Sequence, residues 1–250
     1  MKNFSKNITI EICANSVESC IAAQRGGAQR VELCDNLYEG GTTPSLGTVR
    51  TARKYVTIDL FVIVRPRGGD FLYSDTEYEI IKSDVEILKN ENVNGIVIGF
   101  LNENGTINIK RTAEIVQLAR PMKVTFHRAF DMVNNPFEAL EDIISCECDF
   151  ILTSGLQNKA IEGLPLIKEL VKKAAGRIEI MPGSGIGEEN FQQIVLESNA
   201  QNFHLSLRKS LHSNMLYRNF NVKMGGLENI PEYEIKVTDT EKVKKICGFF

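Results

Sequence analysis

Eight short apolar runs recur along the chain, and a segment with helical spacing of its apolar residues follows each one. The runs are Ile8–Cys13, Arg30–Cys34, Asp59–Val64, Gly95–Gly99, Lys123–His127, Asp149–Leu152, Arg177–Met181 and Asn202–Leu205. Strand-then-helix units of roughly 25–30 residues, repeated eight times, predict one α/β domain over residues 1–250, a closed (β/α)8 TIM barrel. The alternative, an open doubly wound sheet, normally carries a glycine-rich dinucleotide turn after its first strand. Cys13-Ala14-Asn15-Ser16 is not such a turn.

Helix signals sit where this reading needs them. Ser16 caps the first helix and Gly26-Gly27 stops it, while Pro44 opens the second. Ser74 and Glu77 have the spacing of a capping box, and Asn135-Pro136 starts the fifth helix. After the eighth strand comes a long loop without a clear period, through residues 206–237, before Asp239 caps a last helix.

Composition narrows the function. A net charge of −3 does not supply the clustered cations of a nucleic-acid surface. No stretch reaches the ~18 apolar residues of a membrane span. The N-terminus, Met1-Lys2-Asn3-Phe4-Ser5-Lys6, has no apolar signal core, so the expected location is cytoplasmic. Six cysteines in 250 residues are too sparse for a disulfide scaffold and are expected as thiols. The Cys146-x-Cys148 pair lacks nearby histidines and is a weak zinc signal.

In a barrel the C-terminal strand ends meet at one mouth, where the chemistry of this fold lies. Those ends are polar here: Glu11 and Cys13, Glu32 and Cys34, Arg65, Arg67 and Asp70, His127, Arg128 and Asp131, Thr153 and Ser154, Ser184, then His204 and Ser206. The opposite ends, with Asp59, Asn94 and Asp149, resemble ordinary solvated turns.

Val64-Arg65-Pro66-Arg67-Gly68-Gly69-Asp70-Phe71 follows a buried strand and sets two guanidinium forks beside two glycines, a pattern suited to an anion. A solvated turn with a surface ion pair is the plain alternative. Glu11 and Glu32 stand between apolar neighbours on adjacent strands. They are either structural partners of Arg65 or Arg128, or a general acid and base. His127, with Arg128 and Asp131 close behind it, has the flanking charges of a site; His204 is open to either reading. The Gly183-Ser184-Gly185-Ile186-Gly187 turn stands where many barrels hold phosphate, and the cations Arg208, Lys209, Arg218 and Lys223 follow strand eight. Cys13 and Cys34 each lie two residues after a glutamate on neighbouring strands. Both thiols can therefore reach one point, either as soft ligands for Cu(I) or as small buried hydrophobes.

Arg30-Val31-Glu32-Leu33-Cys34, Glu39-Gly40-Gly41-Thr42-Thr43-Pro44-Ser45, Arg65-Pro66-Arg67-Gly68-Gly69-Asp70-Phe71 and Thr125-Phe126-His127-Arg128-Ala129-Phe130-Asp131 closely resemble blocks of the CutC copper homeostasis family. Thr153-Ser154-Gly155 and the Gly183–Ile186 turn match as well, so the resemblance spans essentially the whole chain. It implies a cytoplasmic (β/α)8 barrel, often a homo-oligomer, linked to copper tolerance. In members proposed to bind Cu(I), the implicated cysteines correspond to Cys13 and Cys34. The leading expectation is a Cu(I) site on those two thiols. The alternative is a metal-independent enzyme for a small phosphorylated or carboxylated substrate. In that reading Arg65, Arg67, Asp70, Arg128, Ser154, Ser184 and His204 hold the anion, and His127, Glu11, Glu32 and Asp131 act as catalytic groups.

Overall fold

The computed structural model describes residues 8–225 and 230–249; residues 1–7, including the stretch read above for a signal core, lie outside them. Eight parallel strands, β1 (Thr9–Ala14), β2 (Arg30–Leu33), β3 (Asp59–Ile63), β4 (Gly95–Ile98), β5 (Lys123–Phe126), β6 (Phe150–Thr153), β7 (Glu179–Pro182) and β8 (Asn202–Leu205), pair in sequence order, with β8 beside β1. A parallel bridge between Gly183 and His204 joins the β7 and β8 edges and closes the (β/α)8 barrel. Helices α1 (Val17–Arg25), α2 (Leu46–Tyr55), α3 (Asp75–Lys89), α4 (Ile109–Ala119), α5 (Pro136–Ser145), α6 (Leu164–Ala174), α7 (Phe191–Ser198) and α8 (Thr240–Cys247) surround it. None of them is long and apolar enough to cross a membrane.

The two-residue period of a strand divides the core. Ile10, Ile12, Val31, Leu33, Leu60 and Val62 face outward and pack under the helices in the large outer cluster. The inward positions form a smaller cluster of Phe61, Ile63, Val97, Phe150 and Cys34, with Cys13 and Leu37 against it. Glu11 and Cys13 share the inward face of β1, as Arg30 and Glu32 share that of β2, because they are two residues apart.

The caps form as the sequence indicates. Ser16 accepts from Ser19 N–H, Ser74 and Glu77 close a full capping box, and Asn135 caps the helix that Pro136 begins. Two boundaries differ from expectation. Ser45, not Pro44, is the N-cap of α2, so the proline stands just outside the helix. His127 ends no strand; it caps a short 3-10 turn, Arg128–Met132, through its own ring. The expected long loop also holds more order than its sequence shows. Two antiparallel strands form there, β9 (Arg208–His212) and β10 (Glu234–Thr238). They are mostly exposed, and a long connection rather than a tight turn separates them; β9 has no apolar alternation, and that of β10 is confined to Ile235 and Val237, so no hairpin signal marks them. The return strand is tied to α1 by Thr238 N–H donating to Ser19 Oγ (3.2 Å), and Asn15 Nδ2 donates to Lys236 O (3.0 Å).

Candidate functional site

Register brings the polar groups of β1, β2 and β8 to one level. Glu11 is paired side by side with Arg30 on β2 and with His204 on β8, and Cys13 with Glu32. Glu11 is fully buried. Arg30 Nε donates to its Oε2 at 2.5 Å, and His204 Nδ1 lies 2.7 Å from its Oε1. Burial alone would push this carboxyl up; the Arg30 guanidinium and the His204 ring outweigh it and hold the pKa down to about 2. The structure therefore corrects one expectation, since neither Arg65 nor Arg128 is the partner of Glu11. Arg30, which the sequence reading missed, takes that role and also stacks on Phe61 and Phe150, 4.8 Å and 4.6 Å from their centroids.

Glu32 takes the other role. Its nearest cation is the His204 ring at 3.5 Å, and burial with the charges of Cys13 and Glu11 raises its pKa to about 8. Two buried carboxyls one strand apart are thus pushed in opposite directions.

Cys13 Sγ and Cys34 Sγ are 4.0 Å apart. The Cys34 thiol donating toward Cys13, aided by the His204 ring, lowers the Cys13 thiol well below its usual value against the opposing effect of burial. The same hydrogen bond and burial push Cys34 well above. His204, despite burial, is raised well above its usual value by Cys13 and the two glutamates. Donor atoms of Cys13, Glu32 and His204 all lie within 4.8 Å of one another, a grouping able to hold a metal ion.

These groups form one wall of a cavity of about 290 Å³ at the barrel mouth. Arg65, Phe71 and His127 line it as well, together with Ile63, Met132 and Leu152. Arg128 and Asp131 line the rim, and Asp131 is saturated there. It accepts from Arg128 Nε (2.7 Å), Thr153 Oγ1 (2.5 Å) and the N–H groups of Ser154 (3.0 Å) and Leu156 (3.2 Å). Ser154 is spent on the same knot, its hydroxyl 2.8 Å from Asp131 Oδ2.

Arg67, Asp70 and Ser184 do not line the cavity. Arg67 instead bonds Glu77 (2.5 Å) and Asp70 (3.0 Å), bracing the start of α3. Ser184, at φ +77°, donates to Asn158 O at 2.7 Å. Of the polar strand-end residues, the structure thus gathers Cys13, Cys34, Glu32, Arg65, His127, Arg128, Asp131 and His204 at the cavity, with Glu11 beneath His204.

A family model described as the CutC family matches residues 8–209. The copper homeostasis protein cutC homolog of Mus musculus is 49% identical over 237 residues, covering 95% of this chain and 87% of that protein. The family protein CutC of Parabacteroides distasonis is 50% identical over 236 residues, covering 94% and 97%. A solved CutC structure from Streptococcus agalactiae aligns with a TM-score of 0.76 at 33% identity, over 80% of this chain and 98% of that one. The family match runs from β1 into the start of β9 and so spans every position of the mouth cluster: the chain belongs to the CutC copper homeostasis family.

Proposed function

We propose that the chain binds Cu(I) as cargo at the barrel mouth through Cys13 and Cys34, in a cytoplasmic role in copper homeostasis. The observation that carries this reading is the 4.0 Å separation of the two sulfurs. Thiolate–metal bonds of about 2.3 Å, the length found at zinc, set two ligand sulfurs no more than about 4.6 Å apart. The pair therefore suits one soft ion held between them, and a low-coordinate cation such as Cu(I) needs little else.

The electrostatics support the same reading. Metal binding at a thiol requires loss of its proton, and Cys13 is the thiol from which that loss costs least. His204 and Glu32 stand close enough to Cys13 to complete the ligand set. All six cysteines are free, as a reducing compartment keeps them. Self-association belongs to this reading too. Leu216, Tyr217, Phe220 and Met224 stand exposed between β9 and β10, apolar surface of the kind that contacts between copies cover.

The test is a Cu(I) competition titration against a colorimetric chelator, under reducing and anaerobic conditions. Wild type should take one Cu(I) per chain from the chelator, and Cys13→Ser/Cys34→Ser none. Equal binding by both proteins, or no binding by either, would remove the two-thiol site.

A further inference from the structure

The cavity lining carries a second arrangement that copper does not use. Arg65 is only 4% exposed, and its bonds go to backbone carbonyls. Nη1 donates to Glu39 O (2.7 Å) and Gly41 O (2.9 Å), and Nη2 to Gly69 O (2.8 Å). Arg67 and Arg128 each have a carboxylate partner; Arg65 has none among the described residues. A buried cation without a counter-charge is costly, and proteins rarely leave one so. In addition the Nε–H of Arg65 is buried without a well-formed hydrogen bond, and the hydroxyl beside the guanidinium, that of Tyr73, is unsatisfied too.

His127 repeats the pattern. Its Nδ1 accepts from Ala129 N–H at 3.1 Å, so in the neutral ring Nε2 carries the proton. That Nε2–H is also buried without a partner. Burial and the nearby Arg65 hold the ring neutral, with a pKa of about 3, so it remains a donor with one fixed tautomer. The ring also packs closely over Gly99, where any side chain would overlap it. Phe71 lies against both groups, 4.9 Å from the His127 ring and 5.1 Å from the Arg65 guanidinium carbon.

We propose that Arg65 and His127 form a receptor for the carboxylate of a small organic acid, closed over by Phe71. One carboxylate oxygen takes Arg65 Nε–H and the other takes His127 Nε2–H. The Phe71 ring moves aside to admit the ligand, whose apolar body lies against Ile63, Met132 and Leu152. Two unspent donors and one unpaired positive charge match a carboxylate. A phosphoryl group brings a third oxygen and up to a second charge, for which this wall has no donor. The glycine-rich turn around Ser184, the other candidate phosphate holder, bonds to Asn158 and stands off the cavity. None of the receptor groups is a candidate copper ligand, so the two sites stand or fall separately.

The deciding measurement is ¹⁵N NMR of histidine-labelled, metal-free, reduced protein. The chain has three histidines, and His127→Phe assigns the relevant signal by its loss. Acetate, hexanoate and benzoate are titrated in, with hexanamide, benzamide and inorganic phosphate as controls. The expected result is a saturable shift of the His127 Nε2 resonance with the carboxylates, at least roughly tenfold weaker binding of the amides, and none of phosphate. His127→Phe, shown folded by circular dichroism, should bind the best carboxylate roughly tenfold or more weakly in calorimetry. Because Arg65 also ties two loops together, an arginine variant is not needed for the decision. No shift at His127 with any carboxylate at tens of millimolar overturns the proposal. So does equal binding of amides or phosphate, or undiminished binding by His127→Phe.

Discussion

His127 shows how one side chain couples the site to the stability of the whole. Its imidazole titrates near 6.5 in a model peptide and near 3 in the fold, where burial and Arg65 oppose its charge. Between those values the unfolded chain binds the extra proton and the folded one does not. The stability that His127 contributes is therefore complete above pH 6.5 and is lost as pH falls from there through about 3. At pH 5 the loss relative to pH 7 is about 2 kcal/mol. Urea denaturation at both pH values should show that much less acid destabilisation in His127→Phe than in wild type; parallel losses would mean that the ring does not titrate as described. Most of the site residues were legible at this scale, since His127, Glu32, Cys13 and Cys34 follow from strand ends and a two-residue period. Arg30 was not, because it begins β2 at the end away from the mouth, and only its length brings its guanidinium up to Glu11. Arg67 and Ser184 failed in the opposite sense. Sequence placed them beside the mouth but could not say which way each turn would aim them, and both bond to their own surroundings.

At the scale of elements, the helices announced themselves through their caps, and what the sequence did not reveal was how they fit together. Gly26, read only as a helix stop, is where α8 packs onto α1. A Cβ there would lie 2.5 Å from Val243 Cβ, a main-chain-proximal atom that cannot swing away. Gly26 has an ordinary φ of −77°, so alanine meets no backbone strain and the clash is the whole effect. Gly26→Ala should destabilise by about 1–3 kcal/mol, the usual cost of overpacking. Val243→Ala, which removes the equally close Cγ1 but keeps the Cβ, should recover less of the overpacking term than Val243→Gly in the same background, as a double-mutant cycle reads it. Additive effects of the two changes would show that the helices do not meet at this point. The β9–β10 pair was invisible for a related reason: its strands are held by partners distant in sequence, Ser19 among them, and local pattern carries no trace of that.

The least-paired seam of the barrel among the described residues lies between β7 and β8. Neighbouring strands from β1 through β7, and β8 with β1, share two to four paired positions, β5 and β6 the fewest, whereas β7 and β8 meet at a single bridge, Gly183 to His204. Arg30 spans this seam from inside. Its Nη2 reaches Met181 Sδ on β7 (3.2 Å) and Asn202 Oδ1 on β8 (3.3 Å) while Nε holds Glu11 on β1. The closure of the fold and the charge state of the mouth therefore depend on one guanidinium, and His204 belongs to both. Local opening follows the least-paired boundary of a sheet. Amide hydrogens of β7 and β8 should thus exchange faster than those of β2, β3 and β4 in wild type. Arg30→Met keeps an apolar stem between Phe61 and Phe150 but releases the seam and leaves Glu11 with only His204. It should speed exchange at β7 and β8 by roughly tenfold or more, the effect of losing one charged hydrogen bond, with β3 and β4 changed far less. Uniform acceleration across all eight strands would instead mean that the barrel opens only as a unit, and that the seam has no separate role in holding the site together.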